Sequence, residues 1–216
     1  MNTETKNAAP GAGELVAVHR GLRREARLLV TLVAATAPGD TVRARLLSNH
    51  FGDYRRSLLD CLDAQAAYLR PPLLARLDLD ADLVLRSAQR EDRVAATLAA
   101  AGSALPGWEA GAGEDARDGL TALLAEHRAV LLEHLAEEAR ALLPLAARHL
   151  SPYEWDALAR HLAVSPGPAL EDADRAERRA LLARLPLPAR LHWYAIGRAR
   201  YARRMRAVRR TPRPAP

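Results

Sequence analysis

HLAEEARALLP, His134 to Pro144, sets an imidazole and a carboxylate four residues apart in a run of alanine and leucine. Positions i and i+4 share one face of a helix, so His134 and Glu138 project together. Imidazole and carboxylate are ligands for metals such as iron and zinc, which makes the pair a natural half of a metal site on a core-facing stripe. The spacing alone leaves a plainer reading open. In helices rich in Ala, Leu, Arg and Glu the same pair arises as a polar contact at a bundle seam.

Outward from this stretch the composition repeats the helical message. The chain of 216 residues is 49% apolar and only 4% aromatic, with a single Phe. Its apolar residues are mostly Ala, Leu and Val, a set poor in strand formers, so the fold class is all-α. The length suits one sizeable domain with a small appendage. One cysteine, Cys61, makes no internal disulfide, no apolar run is long enough to span a bilayer, and the N-terminus lacks a secretory pattern. These features predict a cytoplasmic protein without a membrane span. The net charge is +6, yet residues 186–216 hold nine Arg and no acid, leaving about −3 on the rest.

Punctuation along the chain predicts its organisation. Residues 1–12 read as a disordered leader and 211–216 as a disordered tail. Between them, residues 13–150 read as four helices in an antiparallel up-down-up-down bundle, and 151–210 as a helical extension packed on it. The first helix runs from Glu14 to Ala37, stopped by Pro38-Gly39-Asp40, and the second ends at Pro71-Pro72. The third covers about Asp80 to Ala101, and residues 102–116 are the longest loop, with Trp108 packing over one end of the bundle. The fourth extends to His149, kinked or shortened at Pro144. Ser151-Pro-Tyr-Glu154 is a capping box opening a fifth helix. Ser165-Pro-Gly-Pro168 breaks it, a sixth spans Glu171 to Arg184, and a seventh follows Pro186-Leu-Pro188 to Arg209.

Four stretches carry a resemblance. Val18-His-Arg-Gly-Leu-Arg-Arg-Glu25 resembles the first-helix HRxLRRE signature of the hemerythrin-like (HHE cation-binding) family, and His134 to Pro144 resembles its fourth-helix HxxEE…lP signature. Leu58 to Leu73 has the layout of the second-helix HHxxEDxxLxPxL motif, and the Arg-rich, aromatic C-terminus is similar to that of actinobacterial members. The resemblance implies a non-haem iron module that binds or senses O2, NO or redox state. It implies iron ligands at His19, His134 and Glu138, with Glu91 on or beside the third-helix position. It also implies a partly dismantled site: aligned on Pro71, Cys61 stands where the family has His and Gln65 where it has Glu. A neutral Gln cannot serve as an anionic bridge, so a mononuclear or metal-free centre is expected. Without metal, His19, Glu91, His134 and Glu138 would have to neutralise one another.

The other candidates divide between chemistry and packing. His127 lies one heptad before His134, about 10 Å along the axis and too far to share its metal. His50 lies eleven residues before Cys61, so His50 and His127 could make a second site or be two satisfied histidines at the core edge. Cys61 reads as a small buried apolar residue. His149, His161 and His192 fall at or beyond the end of the bundle and are assigned no chemistry. No nucleophile elbow, phosphate loop or C-x2-C pair is present, so the chain is not expected to be an enzyme. The alternative to metal binding is an interaction or scaffold protein with a basic tail. That tail mixes arginines with Trp193, Tyr194 and Tyr201, so it could meet phosphate. The expectation is that it folds back on the acidic bundle, burying Trp193, Ile196 and Met205, without strong nucleic-acid binding.

Overall fold

The computed structural model describes residues 12–77, 81–162 and 166–210. Every regular element among them is helical, as the composition predicts. In order these are α1 (Ala12–Ala34), α2 (Thr41–Tyr68), α3 (Arg70–Leu74), α4 (Ala81–Gly111) and α5 (Glu114–Glu137). A π-helical turn (Glu138–Leu142) leads into α6 (Leu143–His149), and α7 (Pro152–Leu162), α8 (Pro166–Glu171) and α9 (Arg175–Arg184) follow. Last come α10 (Leu187–His192), a second π-helical turn (Trp193–Gly197) and α11 (Arg198–Arg209).

The four long helices close a ring of contacts: α1 packs on α2 and α5, and α4 packs on both α2 and α5. Two turns meet at one end of the ring. Gly39, at φ 79°, donates its N–H to the Ala112 carbonyl at 3.0 Å, joining the α1–α2 turn to the α4–α5 turn. The Asp40 carboxylate accepts from the Arg43 N–H and so caps α2. Inside the ring Leu15, Leu47, Leu69, Leu98 and Leu131 are fully buried, along with Trp108.

α7 packs across α1 and α2, α8 and α9 lie on α1, and α11 touches α2. Ser151 and Glu154 form the expected capping box ahead of α7, the Ser151 N–H donating to Glu154 at 2.8 Å. A second, smaller core joins Ala17 of α1 to Leu170, Leu181 and Leu182 of α8 and α9. Gly21 makes this docking possible, since a Cβ there would stand 3.0 Å from the Pro168 backbone. Among the described residues no helix is long and apolar enough to cross a membrane.

Several expectations give way to packing. Residues 102–116 are not a long loop. α4 continues to Gly111 with Pro106 inside it, and only Ala112 and Gly113 separate it from α5. Pro106 removes one helical hydrogen bond, but burial of the Trp108 indole at 0% exposure holds the turn against that loss. At Pro144, where a kink or a shortened helix was expected, regular α5 gives way to a π turn before α6. The Leu143 N–H reaches the Glu138 carbonyl five residues back, and this widened turn makes room for the ring. The Pro166–Pro168 segment, expected as a break, is the first turn of α8, and the helix expected from Glu171 starts at Arg175, capped by Asp174. The expected leader and tail lie outside the described residues, except that Ala12 is already buried in α1.

The C-terminal helix docks through Met205 and Val208 at its far end and through Trp193, which packs against the second core. Met205 and Val208 are buried, and Arg43 donates to the carbonyls of Ala207 and Val208. Trp193 is half-buried, while Ile196, expected in the interface, is 54% exposed. The apolar stripe is real, but too little surface faces it.

Candidate metal centre

Three of the four expected ligands come together in the core. Glu138 projects from the first residue of the π turn, a place where the helical register shifts, and the turn is a frequent device for aiming a functional side chain. Its Oε2 lies 3.6 Å from His19 Nε2 of α1 and 3.4 Å from His134 Nε2 of α5. These separations are too long for hydrogen bonds. All three residues are at most 2% exposed, and neither carboxylate oxygen of Glu138, neither ring nitrogen of His134, nor Nε2 of His19 has a hydrogen-bond partner among the described residues.

Such a set without partners carries a large desolvation cost, which the groups meet by shedding charge. Burial pushes Glu138 up to about 8, helped by the nearby Glu91 carboxylate and opposed by Arg23. Burial likewise drops His19 to about 3, with His134 and Arg23 adding repulsion. His134 falls to about 4, through burial and Arg90. Burial thus favours the neutral form of all three groups.

Glu91 stands apart from that set. It is buried on α4 and near enough to Glu138 to raise its pKa, but its Oε2 is 3.3 Å from the Arg70 guanidinium. Its own pKa rises to about 7, burial outweighing Arg70. Its Oε1 remains without a partner among the described residues. Cys61 is buried, and the Gln65 amide approaches its sulfur at 3.6 Å. Burial and the Glu138 charge push the thiol well above its ordinary range, so it is a protonated apolar residue rather than a thiolate.

The donor set is two imidazoles and one carboxylate, types that a borderline cation accepts. Two imidazoles and a carboxylate with free lone pairs, spaced at 3.4 to 3.6 Å, match the edge of a ligand shell with bonds of about 2.1 Å. A second ion would need an anionic bridge from α2, where Gln65 is neutral, and would have to take Glu91 from Arg70. Among the described residues no group of three or more His, Cys, Asp or Glu side chains is arranged as a ready-made metal site. The trio therefore has to move to close on an ion.

His50 and His127 do not form a second metal site. His127 Nε2 lies 2.7 Å from the Tyr54 hydroxyl and Nδ1 lies 3.0 Å from the Thr97 hydroxyl, so both nitrogens are engaged. His50 Nε2 lies 2.9 Å from the buried carboxylate of Glu25, which also binds Arg24. Arg70, Arg23 and Glu25 are partners that the sequence did not assign. All three stood within the stretches that carry the resemblance, but no local spacing points to a pairing between separate helices. His161 stacks on Tyr68 at 4.0 Å between centroids.

Comparison of the chain with protein-family models, with curated proteins and with solved structures returned no match.

Proposed function

We propose that this protein is a hemerythrin-like helical bundle, antiparallel and up-down-up-down through α1, α2, α4 and α5, whose metal centre has shrunk to a single-ion site. His19, His134 and Glu138 would hold the ion, with Glu91 free to join once Arg70 releases it. The observation that supports this reading is the buried convergence of two imidazoles on one carboxylate, all with unused lone pairs. An iron bound there supplies a coordination position for a small diatomic gas such as O2 or NO, or a redox change. The residues of the chain bind and orient the ion, and Leu135 and Leu142 belong to the apolar shell that keeps the core dry.

A second reading is favoured by the protonation states. With Glu138 pushed to about 8 and both histidines far below neutrality, burial favours the neutral form of the trio. That makes a metal-free bundle tolerable and fits an interaction or scaffold role. Titration of the purified chain with Fe(II) under anaerobic conditions separates the two. On the single-ion reading His134→Ala lowers affinity at least tenfold, in line with loss of one ligand, while His127→Gln leaves it unchanged. Equal losses from both variants would show that the wrong histidine has been assigned, and no binding by the parent chain would favour the scaffold.

A further inference from the structure

A wide concavity lies outside the bundle. It is a cleft of about 1020 Å³ between α8–α9 on one side and the α10–α11 helix on the other. Its floor is apolar, with Trp193 half-buried and Ala183, Tyr194 and Ala202 exposed above the buried Leu170, Leu182 and Met205. Its walls carry Arg175, Arg179, Arg190, Arg198, Arg206 and Arg210. Among the described residues none of these six guanidinium groups has a carboxylate partner: the arginines of α9 and α11 that form ion pairs are Arg184, Arg204 and Arg209. The one acid in the lining, Glu171, is already taken by Arg24, Arg209 and the Tyr201 hydroxyl.

Charge of one sign on low-dielectric walls focuses an attractive field for anions. The described residues offer no counter-charge there, so the occupant has to bring it. An apolar floor requires that the same occupant also bring an apolar body.

Beside the cleft mouth stands a second feature. Leu187, Leu191 and Tyr194, spaced i, i+4, i+7 on one face of α10 and its π turn, are 58%, 59% and 59% exposed. Nothing among the described residues covers them. An apolar helix face bordered by arginines is the arrangement with which a helix lies in the interface of an anionic bilayer. A nucleic acid would satisfy the arginines but leave both the face and the floor in water, and a free phosphate would leave them bare as well.

We propose that the cleft binds an anionic phospholipid at a membrane surface. The headgroup phosphate sits among the arginines, an acyl chain lies along Ala183, Trp193 and Ala202, and the Leu187–Leu191–Tyr194 face enters the headgroup layer. This site is independent of the metal centre.

The test is co-sedimentation of the full chain with vesicles of phosphatidylcholine, with and without phosphatidylglycerol. Binding is expected only with phosphatidylglycerol. Arg198→Gln and Arg206→Gln should each weaken it roughly fivefold, the scale for one basic residue near a charged surface. Leu191→Ser should make the remaining binding collapse at a salt concentration the parent survives. These side chains are exposed, and unchanged thermal melting of each variant verifies the fold. Failure to bind either vesicle, or equal binding to both, would overturn the proposal. So would arginine-dependent binding that Leu191→Ser does not alter, or that inorganic phosphate or duplex DNA displaces, because the ligand would then be a soluble phosphate or a nucleic acid.

Discussion

At the scale of single residues, the histidines show how one side chain takes opposite roles according to its partners. His134 and His19 keep free nitrogens around Glu138, whereas His127 spends both nitrogens on Tyr54 and Thr97. Burial lowers His127 to about 4. Between that value and the ordinary pKa of about 6.5 the unfolded chain takes up a proton that the folded one refuses. The stabilisation is therefore complete above about pH 6.5 and is lost as pH falls toward 4. For His127 alone the loss reaches about 2 kcal/mol by pH 5. Urea unfolding at pH 7 and pH 5 checks this: His127→Gln should lose less stability over that interval by this amount, and an identical loss would refute it. His134 and Glu138 were legible because their chemistry repeats at one helical turn. Glu91 was legible only as a residue, since the Arg70 guanidinium that engages it arrives from α3, on the far side of a turn.

At the scale of elements, glycine and proline were the least reliable signs, because each marks either a break or a close approach. Gly102 and Pro106 read as a loop and are helix, held by Trp108 and by the Phe51 ring, which lies 3.6 Å from where a Gly102 Cβ would be. Pro144 is absorbed by a π turn that also carries Glu138, so the proline and the buried carboxylate belong to one local device. Gly21 marks the seam at which α8 crosses α1. Gly21→Ala forces a Cβ against the Pro168 backbone and should cost about 1–3 kcal/mol, the usual range for overpacking. Gly119 is the counterpart, exposed on α5 with nothing within 4 Å of the position a Cβ would take. There the same change should gain up to about 1 kcal/mol from helix propensity. Thermal unfolding of the two variants should move in opposite directions, and stabilisation by Gly21→Ala would disprove the close docking of α8.

At the scale of the molecule, the all-α class followed from composition alone, since a chain with one Phe and abundant Ala and Leu has little else to build. The extension was legible as helices, but not the way it divides its work. Its early helices wrap α1 and α2, while α10 leaves an apolar face uncovered beside a basic cleft. Amphipathic spacing shows that a face exists, not whether a neighbour reaches it. The proposed metal centre divides in the same way: the sequence offered the candidate ligands and the neutral Gln65 on α2, and the fold adds that His19, His134 and Glu138 converge while Glu91 faces Arg70. The account turns on the proposed reduction from two ions to one. The decisive measurement is the iron content per chain, with the visible absorption spectrum under air, of protein purified without chelator and reconstituted with excess Fe(II). One ion or fewer and no oxo-bridged di-iron bands are expected; two stoichiometric irons with oxygen-dependent bands would contradict it.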